Sequence, residues 1–253
     1  MIDCVTDDQE LRSRRARSFG AQAAAYAEHR PDYPLDALRW GLPPDVEHVV
    51  DLGAGTGKLT ENLLALGLRV TAVEPDEGMR AEFTRRLPDL PVLDGTAERI
   101  PLPDGAADAV VAGQAFHWFD VQPALTEIAR VTRAGGTFLA LWNSDDVTVP
   151  WVAEFGELTR TSISRSWRSF SGELPSHEQW EPFERGRFRH TQRRTAESLL
   201  ATVATHSHML VAPPEERETT LTRLREFLAK TQETADGEFD LPLLVTAMRG
   251  VRR

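Results

Sequence analysis

The chain has a single cysteine, Cys4, so it can form no internal disulfide and no cysteine-based zinc site. It lacks the run of roughly eighteen apolar residues that a membrane-spanning helix needs. Its first residues, Met1 to Asp8, include acids and no apolar stretch of the kind that directs secretion. An excess of positive charge is missing too. The net charge of −10 and the pI near 5.2 oppose the phosphate attraction used by nucleic-acid binders. These absences point to a cytoplasmic protein, a monomer or homodimer, with a small-molecule partner and neither nucleic acid nor membrane. Arg12, Arg14, Arg15 and Arg17 form the one basic cluster near the start, either a nucleic-acid arm or a solvated helix face, and the acidic balance of the chain favours the face. There is no internal repeat and no low-complexity segment. With 41% hydrophobic residues, 253 positions suffice for one large domain or two modest ones with a real core.

What is present is a glycine-rich turn. Val49 to Leu52 is an apolar run that breaks into Gly53-Ala54-Gly55-Thr56-Gly57 and then into an amphipathic stripe through Leu59, Leu63, Leu64 and Leu66, reading as strand, turn and helix. Alternate glycines remove every other Cβ and let a ligand approach bare backbone. A P-loop requires an earlier glycine where Leu52 stands and Ser or Thr where Leu59 stands, so it is excluded. A dinucleotide fingerprint requires a third glycine where Lys58 stands, which weakens that reading without removing it. From Glu47 onward strands alternate with helices: strands at His48–Leu52, Arg69–Val73, Pro91–Leu93, Ala107–Ala112 and Thr137–Trp142, with apolar helical seams at Met79, Phe83 and Leu87 and at Leu125, Ile128 and Ala129.

The pattern Asp51-x-Gly53-x-Gly55-x-Gly57 followed by a helix resembles motif I of the class I S-adenosylmethionine (SAM) dependent methyltransferases. The resemblance implies that Asp51, Gly53, Ala54, Gly55, Thr56 and Gly57 form the floor under the methionyl and ribose parts of SAM. It covers residues 19–143 and is strongest over 47–143. Tyr26, Arg30 and Tyr33 are similar to a family segment, bearing a Tyr and an Arg-Pro, that folds over the cofactor. There Arg30 either grips the methionyl carboxylate or caps its own helix, with the tyrosines packing. Asp94-Gly95-Thr96-Ala97-Glu98 resembles the family's Gly-Asp-Ala-Glu segment, which implies that Thr96, Ala97 and Glu98 border the adenine. Thr96 replaces the family's acid, and its hydroxyl can still accept from the adenine amino group. The order of parts resembles the branch containing trans-aconitate and quinone-biosynthesis methyltransferases. That branch implies an α/β fold: a Rossmann-like, doubly wound, mostly parallel seven-stranded sheet with helices on both faces. Its antiparallel seventh strand slips between the fifth and sixth, and the C-terminal third supplies a helical lid.

In such a sheet, ligands bind beyond the carboxyl ends of the strands. Glu74-Pro75 follows the second strand, and an acid some twenty positions after Asp51 can accept from both ribose hydroxyls. Met79, one turn into the next helix, is either a floor for the adenine or plain core. After the fourth strand comes Gly113-Gln114-Ala115-Phe116-His117-Trp118-Phe119-Asp120, where the transferred methyl is expected. Gln114 joins the cofactor set there, and His117 is the candidate general base because imidazole titrates nearest neutrality. Two of the three aromatics belong to the core in this reading, and Asp108 is structural. His206 and His208 on the expected lid rank behind His117.

Past Asn143, helices are expected at 151–166, 196–208 and 214–230, and strands at 187–193 and 240–248, with Pro242 restricting the last to an edge or start position. The chain divides into 1–46 covering the cofactor, 47–143 as the SAM-binding core, and 144–253 as lid helices plus the last two strands, within one structural domain. The expected activity is transfer of the SAM methyl to an O, N or C nucleophile. Two alternatives stand beside it: a SAM-fold protein without transfer, such as a pericyclase or partner subunit, and an NAD-dependent oxidoreductase. The glycine spacing and the absence of a Tyr-x-x-x-Lys pair in the second half weigh against the oxidoreductase.

Overall fold

The computed structural model describes residues 31–162 and 174–253. Seven strands form the sheet: β1 (His48–Leu52), β2 (Arg69–Val73), β3 (Val92–Leu93), β4 (Ala107–Gly113), β5 (Thr132–Asp145), β6 (Glu184–Thr195) and β7 (Glu238–Val251). Their order is β3-β2-β1-β4-β5-β7-β6. β1 to β5 run parallel, and β7 lies antiparallel between β5 and β6. The helices are α1 (Leu35–Gly41), α2 (Lys58–Ala65), α3 (Glu77–Arg86), α4 (Val121–Val131), α5 (Pro150–Leu158), α6 (Ala196–Ala204), α7 (Ser207–Val211) and α8 (Pro214–Lys230).

Every residue of β1 is buried, as expected of a parallel strand covered on both faces. On one face Val50, Leu52, Val110, Ala112, Phe138 and Ala140 pack with the stripe of α4. On the other Val49, Ala109, Val111, Leu139, Leu141 and Val245 pack with Leu38 of α1, Leu59 and Leu63 of α2, and Tyr33. Each fully buried aliphatic side chain contributes about 1.5–3 kcal/mol, so the two faces together hold the sheet. A third cluster joins α5, α6 and α8 to Phe239, Leu241 and Leu243 of β7. It lies where the β6–β7 ribbon runs past the end of β5, which places a helical layer over the carboxyl end of the sheet.

Several boundaries differ from those expected. β5 begins at Thr132, ahead of the expected Thr137, because Gly135-Gly136 lies in a bulge: Thr132 pairs with Ala107, Gly135 takes φ +72, and pairing resumes at Thr137. β6 and β7 are longer than expected because they pair without a break from Glu184 with Arg249 to Thr195 with Glu238. Pro242 sits in an internal strand, contrary to the edge or start position read from the sequence. Its carbonyl accepts from Asp146 N just past the last β5 pair, Asp145 with Leu243, so its missing N–H faces the side where no strand continues. The helix expected over 196–208 breaks at His206, whose backbone is extended. Before the break Thr202 and Thr205 hydroxyls donate to carbonyls one turn back, which weakens the last turn. Of the helix or two expected over 151–166, one is seen, ending at Leu158, and residues 163–166 lie outside the described residues.

Candidate functional site

The glycine turn leaves β1 across the end of β2, where Gly53 N and Ala54 N both donate to Val73 O. Its glycines have different reasons. A Cβ on Gly53 would lie 2.7 Å from Ala115 Cβ, and one on Gly57 2.9 Å from Leu87 Cδ1, so these two are needed for close packing. Gly55, at φ +56, would direct a Cβ into open space. Its own N–H donates to Glu74 Oε2 at 2.9 Å, and Asp76 N donates to Glu74 Oε1 at 2.9 Å. Glu74 is buried, and that burial raises its pKa against the opposing effect of these two bonds. Each carboxylate oxygen keeps a lone pair after accepting one N–H.

Below the turn, Asp51 is 1% exposed. Thr60 Oγ1 donates to its Oδ2 at 2.5 Å, while Oδ1 and the neighbouring Thr56 Oγ1 are buried polar atoms with no hydrogen-bond partner among the described residues. Burial pushes the Asp51 carboxyl up to about 7, with the Thr60 bond opposing and the charge of Glu74 adding to the rise.

A cleft opens above these groups. One wall is the turn from Gly53 to Thr56, with Lys58 and Leu59; the other is Tyr33, Gly113, Gln114 and Asn143. Gln114 is the one non-glycine residue with positive φ among those described, at 53°. Its backbone N donates to Leu141 O and its Nε2 to Asn143 O at 2.7 Å, so strain and hydrogen bonds fix it together at the end of β4. Asn143 Nδ2 donates to Asp32 O at 2.8 Å, and its Oδ1 lies 2.8 Å from His190 Nε2. Lys58 Nζ reaches Asp32 Oδ1 at 3.2 Å. Tyr33 lies so close over Gly113 that a Cβ there would meet its Oη at 2.6 Å.

Of the candidates read from the sequence, Asp51, Gly53, Ala54, Gly55, Thr56 and Gln114 border the cleft. Gly57 caps α2 behind it, and Glu74 lies behind Gly55. Pro75 is exposed, and Met79 is 6% exposed on α3. Thr96 and Glu98 are exposed around buried Ala97 in a tight turn, where Thr96 pairs with Arg99 and Glu98 Oε1 accepts from Asp120 N. His117 is exposed on the 3₁₀ turn Phe116–Trp118, its ring 4.8 Å from Trp118, and is not among the residues lining the cleft. Phe116 is core, packed on Phe138 and Trp142. Asp108 is structural, accepting from Glu47 N, His48 N and Arg133 Nε. His206 and His208 lie at α7 with rings 5.5 Å apart, and His208 Nε2 meets Thr159 O. Tyr26 and Arg30 lie outside the described residues. Sequence reading passed over Asn143, Lys58 and His190. The strand-end rule points to Asn143 once β5 is extended to Asp145; nothing local points to His190.

Comparison with known proteins adds the following. Residues 50–140 match a family model described as a methyltransferase domain. An uncharacterized methyltransferase of Mycobacterium tuberculosis is 38% identical over 233 residues, which is 92% of this chain and 94% of that protein. The demethylmenaquinone methyltransferase of Beutenbergia cavernae is 39% identical over 133 residues, 51% of this chain and 53% of its own length. A solved structure from Anaeromyxobacter dehalogenans, titled as a type II methyltransferase, superposes with a TM-score of 0.67 at 25% identity and covers 88% of this chain and 97% of its own.

Proposed function

Because the chain belongs to the SAM-dependent methyltransferases, an α/β family that uses SAM as cofactor, we propose that it methylates an O, N or C nucleophile of a small molecule, mainly by holding that nucleophile in line. The observation that carries this is the cleft at Gly55: an opening left by a missing side chain, with the Glu74 carboxylate directly behind it. The residues suit the cofactor. Asp51 Oδ1 and Thr56 Oγ1 are buried polar atoms that lack a partner among the described residues, and Glu74 retains lone pairs for ribose hydroxyls.

SAM when bound supplies a methyl group already activated on a sulfonium. In this proposal the protein's part is placement. Gly53 to Gly57 approach as bare backbone, and Glu74 with Pro75 receives the ribose. Met79, Thr96, Ala97 and Glu98 border the adenine, and Tyr26 and Arg30 from the 1–46 segment close over the methionyl end. Gln114, held by its bond to Asn143 O, shapes the wall beside the methyl. Orienting both reactants supplies much of the rate in such a transfer. His117 meets the acceptor at the rim, and the 144–253 helices enclose it. The net charge of −10 favours a small acceptor over a polyphosphate, and no described helix is long and apolar enough to cross a membrane. A cytoplasmic monomer or homodimer completes the proposal.

Calorimetry with SAM, S-adenosylhomocysteine and NAD, followed by incubation with methyl-labelled SAM and a metabolite panel, tests it. Tight SAM binding with label transferred to a metabolite is expected. Tight binding with no labelled product across the panel would leave a SAM-fold protein without transfer.

A further inference from the structure

The face of the sheet that carries Tyr33 and α1 continues onto β6 as Phe188, His190, Gln192 and Arg194, alternate residues that share one side of a strand. Phe188 is apolar and stacks against Trp40. From His190 onward the same face is polar, although it is partly or fully buried. Gln192 Oε1 is a buried acceptor with no partner among the described residues, and buried Arg194 donates Nη2 to Thr202 Oγ1 on α6. The opposite face of the strand differs. There exposed Arg189 pairs with buried Asp146, and Arg193 pairs with Glu238 and Asp240 at the surface. A polar strip turned inward, running from the cleft wall at Asn143 to the helical layer, is an arrangement that a bound polar molecule would complete.

We propose that the methyl acceptor lies along this inner strip of β6 and that His190 Nδ1 receives its proton. The inference rests on the methyl-transfer function proposed above. Hydrogen bonding assigns the tautomer. Asn143 donates its Nδ2 to Asp32 O, so the atom it turns to His190 is Oδ1, an acceptor, and His190 Nε2 must carry the hydrogen. Nδ1 then holds a lone pair, and no described residue is bonded to it. Burial lowers the His190 pKa, with Asp32 opposing, which keeps the ring neutral near pH 7. The charged groups facing it are Asp32 before α1, Asp145 across β7 in register with Leu243, and Arg194 on its own strand.

The Nδ1 lone pair can accept from a hydroxyl of the acceptor, and the hydroxyls acidic enough for an imidazole to serve are those of a phenol or enol. The acceptor oxygen bonds to the methyl carbon as the carbon–sulfur bond breaks and leaves its electron pair on sulfur. The O–H pair stays on oxygen, and the proton passes to Nδ1 and then to solvent. His117, exposed at the other side of the β4 end, remains at the rim.

The test uses the full chain loaded with S-adenosylhomocysteine and phenol as the probe. Long-range ¹H–¹⁵N imidazole spectra should show His190 as the Nε2–H tautomer, titrating below the usual histidine range, with phenol shifting its Nδ1 resonance saturably. His190→Gln should keep S-adenosylhomocysteine affinity within about twofold and lose about tenfold in phenol affinity, the loss of one good hydrogen bond. Asn143→Leu should mix the two tautomers. An Nδ1–H tautomer in the wild type, a His190 signal indifferent to phenol, or unchanged phenol affinity in His190→Gln would overturn the proposal. Failure of the wild type to bind S-adenosylhomocysteine would instead overturn the proposed function.

Discussion

Replacing Asp51 by asparagine isolates a buried carboxylate with little change of shape. In the folded protein burial raises this group from 3.8 to about 7, a difference of roughly three pKa units, worth on the order of 4 kcal/mol at about 1.4 kcal/mol per unit. Below pH 4 both the folded and the unfolded chain hold the proton, and Asp51 does not bias folding. Between pH 4 and 7 the unfolded chain has released the proton while the folded chain retains it, so stability from this group falls as pH rises. Above pH 7 both states are ionised and the loss is complete. Asp51→Asn has no proton to release, and Thr60 Oγ1 can still donate to the amide oxygen. Urea unfolding of cofactor-free wild type and variant at pH 5, 6, 7 and 8 should show the variant gaining on the wild type by about 2–3 kcal/mol across that range, most of it before pH 7, the rest of the effect falling below pH 5. Differences between the two proteins cancel the titrating groups that do not interact with Asp51, Glu74 being the charged neighbour that does. Parallel stability–pH curves would refute the view that Asp51 is held in the fold as an uncompensated buried carboxylate.

Three further outcomes are expected. Gly55→Val should destabilise the fold by about 1–2 kcal/mol through its left-handed backbone, yet remove S-adenosylhomocysteine binding in calorimetry, because a Cβ there meets no described atom within 4 Å and opens toward the cleft. Glu74→Ala should lose cofactor binding and also about 1–3 kcal/mol of stability per stranded donor at Gly55 N and Asp76 N, whereas Glu74→Gln, which keeps one acceptor, should lose less of both by thermal melts and calorimetry. His117→Ala should leave cofactor affinity unchanged and lower turnover of any acceptor found in the labelled-SAM panel, as expected of an exposed residue outside the cofactor wall. Unchanged turnover would remove His117 from the acceptor site.

β1 and β2 fall where the sequence places them, and so does α8. Each is bounded by chemistry that acts locally: the Asp-x-Gly turn, the Gly67 cap at φ +79, and Pro213-Pro214-Glu215-Glu216 at the start of α8. Boundaries set by partners are less legible. β6 and β7 extend because each satisfies the other's backbone, and the glycine pair before β5 is a bulge because Ala107 is there to pair with Thr132. No local pattern distinguishes that bulge from a turn.

The sequence alone determined the glycine turn, the acid after β2 and the resemblance that names the cofactor, because these depend on spacing within short segments that any copy of the motif must keep. Only the tertiary structure decided which groups meet across the cleft. Asp32, Asn143 and His190 come from three distant parts of the chain and are joined by hydrogen bonds at the end of the sheet. Asp51 becomes a raised carboxyl only because the whole fold removes it from water. Burial and long-range hydrogen bonding belong to the packed molecule, and no periodicity in the chain encodes them.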